Sequence, residues 1–228
     1  MNNSGMNYSM VRSLIWKDWY FQRVPIFLSL AGGAVSLAIV AFGGQAGFTI
    51  GLVLLITVMV MISAMTVMAN VIGERENQTL PFMMSLPISY LEYTTSKILG
   101  NLLIFVPFWL TIVAGCLAII VVTPAIHGLF AFAVIMAVEI LVSTCLMLAV
   151  ALVTESKGWT ISAMVTGNLA INVVGYLVAH LPGIRNGMWG TTIQWNPAAS
   201  ISLVTEFALI ALFLGGAFFI QSRKKDFL

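Results

Sequence analysis

Six continuous apolar runs with almost no charge between them predict an all-α integral membrane protein. Of the 228 residues, 60% are hydrophobic and 8% charged, and the mean hydropathy is +1.03. No soluble core of this length encloses so much apolar side chain, so lipid must be the solvent for most of it. Each run is close to the ~20 residues that carry a helix across a hydrocarbon layer about 30 Å thick. A transmembrane barrel would instead show segments of about ten residues alternating apolar and polar.

The runs are 24–42, 48–72, 98–122, 129–153, 159–180 and 201–220, in a single transmembrane domain over residues 1–228. An even number of crossings puts both ends of the chain on one side. Arg12, Lys17, Arg23, Arg75, Lys97, Lys157, Arg223, Lys224 and Lys225 fall on that side, and Arg185 alone on the other. The asymmetry predicts cytoplasmic termini and a cytoplasmic 73–96 connection, in a plasma or inner membrane. The first residues lack the small-residue cleavage pattern of a removable signal, so they are read as mature sequence. The basic residues are scattered, which argues against a nucleic-acid partner. Cys116 and Cys145 lie inside spans as small hydrophobes, and no disulfide is expected.

Before the first span, residues 8–23 have helical length. Met10, Leu14 and Phe21 share an arc with Val11 and Ile15, opposite Arg12 and Arg23 with Trp16 and Trp19, as in an interfacial helix. Asp18 intrudes on the apolar arc and requires a cationic or amide partner. Pro25 suits the first turn of the following span, where its missing N–H is not needed. The plainest role for such a helix is a membrane-surface anchor.

The 73–96 connection is the one long cytoplasmic break. Thr79 caps a short helix that tolerates Pro81 in its first turn and ends at Pro87. Ser89 and Glu92 form a capping box that launches a second helix through Lys97 into the third span. Leu80, Phe82, Met83, Met84 and Leu86 then present an exposed apolar face suited to a groove on another protein, or to lipid headgroups.

Within the membrane, Glu139 stands near mid-depth, where a carboxylate costs about 3 kcal/mol or more unless paired or protonated. Asn168 at similar depth is its expected hydrogen-bond partner. Asn168, Asn172, Gly175 and Tyr176 share one helical face, so Glu139 with Asn168, Asn172 and Tyr176 line either a substrate path or a packing seam. Pro107 is expected to kink the third span. Gly43, Gly47 and Gly51 have close-approach spacing. Met61, Met65 and Met68 share a face that either fills gaps in the bundle or adapts to apolar cargo. In the 181–200 connection Trp189 and Trp195 suit the headgroup belt. Glu206, about a turn into the sixth span, reaches the interface or faces protein. His127 and His180 lack a neighbouring carboxylate and make no metal site.

Glu74-Arg75-Glu76 leading to Thr79-Leu80, then Ser85-Leu86-Pro87-Ile88-Ser89 and Lys97, resembles the cytosolic loop of permease subunits of type-2 ATP-binding-cassette (ABC) exporters. Trp16-Lys17-Asp18-Trp19 with Arg23 resembles the elbow helix before their first span. The resemblance in architecture covers nearly the whole chain, and the distinctive motif runs from Glu74 to Lys97. It implies that Glu74, Arg75, Glu76, Thr79, Leu80, Phe82, Met83, Met84, Leu86 and Ser89 form a coupling helix docked on a separate nucleotide-binding ATPase subunit. It further implies that Arg12, Trp16, Lys17, Asp18, Trp19 and Arg23 form the flanking elbow, and that two six-span units pair as a dimer of copies or paralogues. The 181–200 connection would hold short helices dipping back from outside. The outward loops here are short and carry no folded domain, unlike those of some relatives.

The chain contains no Gly-x-x-x-x-Gly-Lys-Ser/Thr string, the loop whose N–H groups and lysine cradle nucleotide phosphates. The expectation is a non-enzymatic permease without its own cofactor, with ATP and Mg bound by the partner ATPase. Two other classes remain open: a secondary transporter or channel using Glu139, and a non-transporting membrane binding or immunity protein. Internal repeats would favour the secondary transporter, and the two halves show no convincing similarity.

Overall fold

The structure, a computed structural model, describes residues 8–76, 90–188 and 190–223. Among these every regular element is a helix, and six are long and apolar enough to cross a membrane. They are α1 (Tyr8–Phe42), α2 (Gly44–Val67), α4 (Tyr90–Val122), α5 (Phe130–Thr154), α6 (Lys157–His180) and α8 (Pro197–Ser222). Shorter pieces join them: a π turn Met68–Ile72 and α3 (Gly73–Glu76) prolong α2, a tight turn Pro124–Leu129 precedes α5, and α7 (Pro182–Met188) follows α6. The chain is a multi-pass membrane protein of six apolar helices. Thr79, Leu80, Phe82, Met83, Met84, Leu86 and Ser89, with Pro81 and Pro87, lie outside the described residues, as do Trp189, Lys224 and Lys225.

The expected separate helix over 8–23 does not form; α1 runs unbroken from Tyr8 to Phe42 with Pro25 inside it. The reason is a single stripe that stays in phase across the proline. Val11, Leu14, Asp18, Gln22 and Ile26 are all buried, at helical steps of three and four, so one face of one helix packs continuously. Phe21, expected on that face, is exposed. With a rise of roughly 1.5 Å per residue, α1 is about 50 Å long. That is well beyond the ~30 Å hydrocarbon layer, so the helix is longer than one crossing requires. Pro107 likewise sits inside an unbroken helix, and the hydroxyl of Thr111 donates to its carbonyl at 2.8 Å.

The turn between α1 and α2 depends on glycine. Gly44 has φ +62°, a left-handed conformation that a side chain disfavours. A Cβ on Gly51 would stand 2.8 Å from the Val40 nitrogen and 3.0 Å from the Ser36 carbonyl, so α2 meets α1 backbone to backbone. The 43/47/51 spacing therefore marks a helix seam.

At the centre, α5 is the most enclosed span. Its Ile140 joins a core of Ile62, Ile104, Phe105, Phe108 and Ile171, and Trp109 Nε1 donates to the Ala137 carbonyl at 2.8 Å. Gly167 on α6 faces Ser143 on α5 so closely that a Cβ would lie 2.1 Å from the serine Oγ. Met61 and Met65 are exposed, so they lie outside the bundle and do not fill its gaps.

Lys17, Asp18, Glu74, Glu76, Lys97 and Lys157 collect at one end of the bundle. At the far end, the 181–200 connection forms the short helix α7. The Asn196 side chain accepts from the Ala199 N–H at 2.9 Å and donates to the Gly183 carbonyl at 2.6 Å, capping α8 ahead of Pro197. Gly128 donates to the Gly190 carbonyl at 2.9 Å, and a Cβ there would lie 2.1 Å from the Gly187 carbonyl oxygen. Backbone cannot yield as a flexible side chain can, so Gly128→Ala is expected to cost about 2 kcal/mol, within the range of overpacking strain. Thermal unfolding in detergent checks this; Gly216→Ala, which has open space around it, is the control.

Candidate functional site

Lys97 on α4 is entirely enclosed, at 0% exposure. Its ammonium lies 3.0 Å from Asp18 Oδ2 on α1 and 2.8 Å from Glu74 Oε1 on α3. Lys17, half-buried, pairs with Glu74 and stands 3.6 Å from Asp18 Oδ1. Tyr93 donates to Glu74 Oε2 at 3.3 Å, and its ring centroid is 5.7 Å from the Lys97 ammonium. Two cations thus meet two anions drawn from three helices. Asp18 finds the cationic partner its position required.

Burial pushes the Glu74 carboxyl up, but Lys97 and Lys17 outweigh burial and hold it below the usual carboxylate range. One turn further along α1, Gln22 donates to Asn70 Oδ1 and to the Thr66 carbonyl. Asn70 belongs to the π turn that breaks the regular ladder of α2. Two successive polar ties therefore clamp α1 to α2 and α3 at the charged end. Outside them, Glu76 pairs with Lys157 of α6 at 2.8 Å, both exposed, a contact worth little by itself.

Arg12, Trp16, Trp19 and Arg23, read as elbow residues, are exposed on α1. The Arg23 guanidinium lies 4.2 Å over the Tyr20 ring. Of the residues attributed to a coupling element, Glu74 is buried in the ionic cluster, Glu76 is on the surface, and the Arg75 side chain lies outside the described residues. Lys97 is legible in the sequence only as the end of a motif. A buried lysine needs anions beside it, and Asp18 lies 79 residues away, so sequence spacing gives no hint of the pairing.

Within the membrane the expected amide partner of Glu139 is not there. Asn168 is half-buried, Asn172 and Tyr176 are exposed, and Asn172 donates to the Asn168 carbonyl one turn back at 2.8 Å. The cause is the close packing of Ala163, Gly167 and Ile171 toward the bundle, which turns the amide stripe outward. The other acidic residue buried in the spans is Glu206, on the helix α8 that packs against α5. Both are buried, at 3% and 4% exposure. Glu206 faces protein, on a helix that begins at Pro197 under the Asn196 cap, ahead of the expected Ile201.

Lys97→Met takes the enclosed ammonium from between Asp18 and Glu74, and is expected to destabilise the fold by about 3–5 kcal/mol. The triple variant with Asp18→Asn and Glu74→Gln recovers most of that loss, and Lys157→Met costs under ~1 kcal/mol; thermal unfolding in detergent measures all three. Glu74's own share has a definite sign with pH, because its folded value lies below the ordinary 4.5. Its contribution is therefore complete above that ordinary value and is lost as pH falls through the folded one, a dependence that Glu74→Gln removes. In comparisons with known proteins, no family model, curated protein or solved structure matches the chain.

Proposed function

We propose that this chain is the membrane-spanning permease subunit of an ATP-driven ABC exporter that moves a hydrophobic or amphipathic cargo outward. It pairs with a second permease copy or paralogue, and its charged end, with both termini, faces the cytoplasm. The 73–96 connection docks on a separate ATPase subunit that binds ATP and Mg. The reading rests on the resemblance of the 74–89 and 16–23 segments to the coupling loop and elbow of that family.

The observation that supports it best is the enclosed Lys97 between Asp18 and Glu74. A loop that receives force from a partner must be tied stiffly to the spans it moves, and a buried ion network cannot stretch without exposing an uncompensated charge. A push on α3 therefore reaches α1 and α4 together. The rival reading, a secondary transporter, draws on Glu139 and has no use for an apolar cytosolic sequence between the second and third spans.

Purification from the native membrane with its neighbours tests this reading. A nucleotide-binding chain is expected to copurify. Met83→Asp or Met84→Asp is expected to weaken its retention about tenfold, or ~1.4 kcal/mol. Lys97→Met is expected to keep the partner bound while export per ATP hydrolysed falls. A partner that survives both aspartate substitutions, or cargo that crosses without nucleotide, defeats the proposal.

A further inference from the structure

Between Arg23 and Glu74, between Lys97 and Glu155, and between Lys157 and Arg223 the chain carries three charged residues: Glu139, Arg185 and Glu206. Arg185 is exposed on α7 at the far end. The membrane layer therefore holds two carboxyls and no Lys or Arg. They lie on different helices, α5 and α8, which pack against each other. Glu139 follows Phe130 at the start of α5 by as many residues as Glu206 follows Pro197 at the start of α8, so the two reach the same depth from the far end. Both are buried, and neither oxygen of Glu206 has a hydrogen-bond partner. No bond or ion pair to Glu139 is made among the described residues.

A single buried carboxyl could be an accident of packing, but two brought to one depth from separate helices are an arrangement. A pair of anions in hydrocarbon with no cation is untenable: each is costly to desolvate, and like charges oppose each other further. Something positive must neutralise them, and the surrounding helices do not supply it. Within the layer, the other titratable group on α5 is Cys145 and that on α4 is Cys116, while Tyr176 on α6 is exposed. The π turn and α2 contribute none, and His127 and His180 stand at the far end.

We propose that Glu139 and Glu206 form an intramembrane proton-binding site, in which protons shared by the two carboxyls take the place of a protein cation. Loss of the first proton leaves a carboxyl-carboxylate pair, and loss of the second is strongly opposed by the first negative charge. The two groups therefore titrate as one coupled unit. This goes beyond the export reading and stands without it, since it needs no partner ATPase.

Dicyclohexylcarbodiimide, an apolar reagent that adds to protonated carboxyls within lipid, tests the site on the full chain in lipid nanodiscs, with labelled peptides read by mass spectrometry across a pH series. Labelling is expected at Glu139 and Glu206, falling in two separated steps as pH rises. At a pH where wild-type Glu139 is half labelled, Glu206→Gln is expected to reduce that labelling severalfold, because the opposing charge is gone; Glu139→Gln does the same at Glu206 and serves if the first variant does not insert. No labelling at any pH, or identical titration of one carboxyl with and without the other, overturns the proposal. Protection of both at fixed pH by tetraphenylphosphonium also overturns it, and assigns the site to an organic cation.

Discussion

The structure at the charged end depends on one enclosed ammonium. Lys97 is fully enclosed, and among the described residues its charge is compensated by Asp18 and Glu74. Those anions lie on two other helices, and Lys97 is the fully enclosed cation that both share. The cluster therefore fixes the mutual position of α1, α3 and α4 more sharply than apolar packing does, because apolar side chains tolerate sliding and a desolvated ion pair does not. It also explains why α1 is one rod. The stripe through Val11, Leu14, Asp18, Gln22 and Ile26 must reach Lys97 and Asn70 in phase, and a bend at Pro25 would take Asp18 out of reach.

How much of this was legible follows from what sequence signals measure. Six spans, their order and the gathering of charge at one end were readable, because hydropathy over the length of a span is a bulk property and averages out local detail. The glycine seam was readable too: Gly43, Gly47 and Gly51 permit a backbone contact that Val40 and Ser36 complete. Asp18 announced its need of a partner, since a carboxylate on an apolar arc is costly anywhere. Which partner answered could not be read, as Lys97 meets it only through the fold. The same limit defeated the Glu139 assignment. Periodicity grouped Asn168, Asn172 and Tyr176 correctly on one face, but which face turns inward was decided by Ala163 and Gly167 closing on the bundle at Ser143.

Two solutions to buried charge thus sit in one bundle. At the charged end, opposite signs from three helices cancel inside the protein, and the result is rigid. In the membrane layer, two like charges from α5 and α8 are left for an external positive species, and the result depends on what occupies them. A network complete in itself resists change, whereas a pair that needs a ligand responds to it.

That difference bears on α8, the span with the smallest enclosed share of its length. Its buried residues are Ala199, Glu206, Ala217 and Gln221, one stripe against α5. Gln221 holds the charged end by donating to the Leu152 carbonyl, and the Asn196 cap fastens the far end. Ala199 and Ala217 offer close contact but little area, so Glu206 is the one long polar side chain along the middle of the seam. With a proton on either carboxyl the seam carries at most one negative charge, and with none it holds two repelling charges in hydrocarbon. The span least supported by packing is consequently the one whose hold on the bundle varies with the protonation of its own carboxyl.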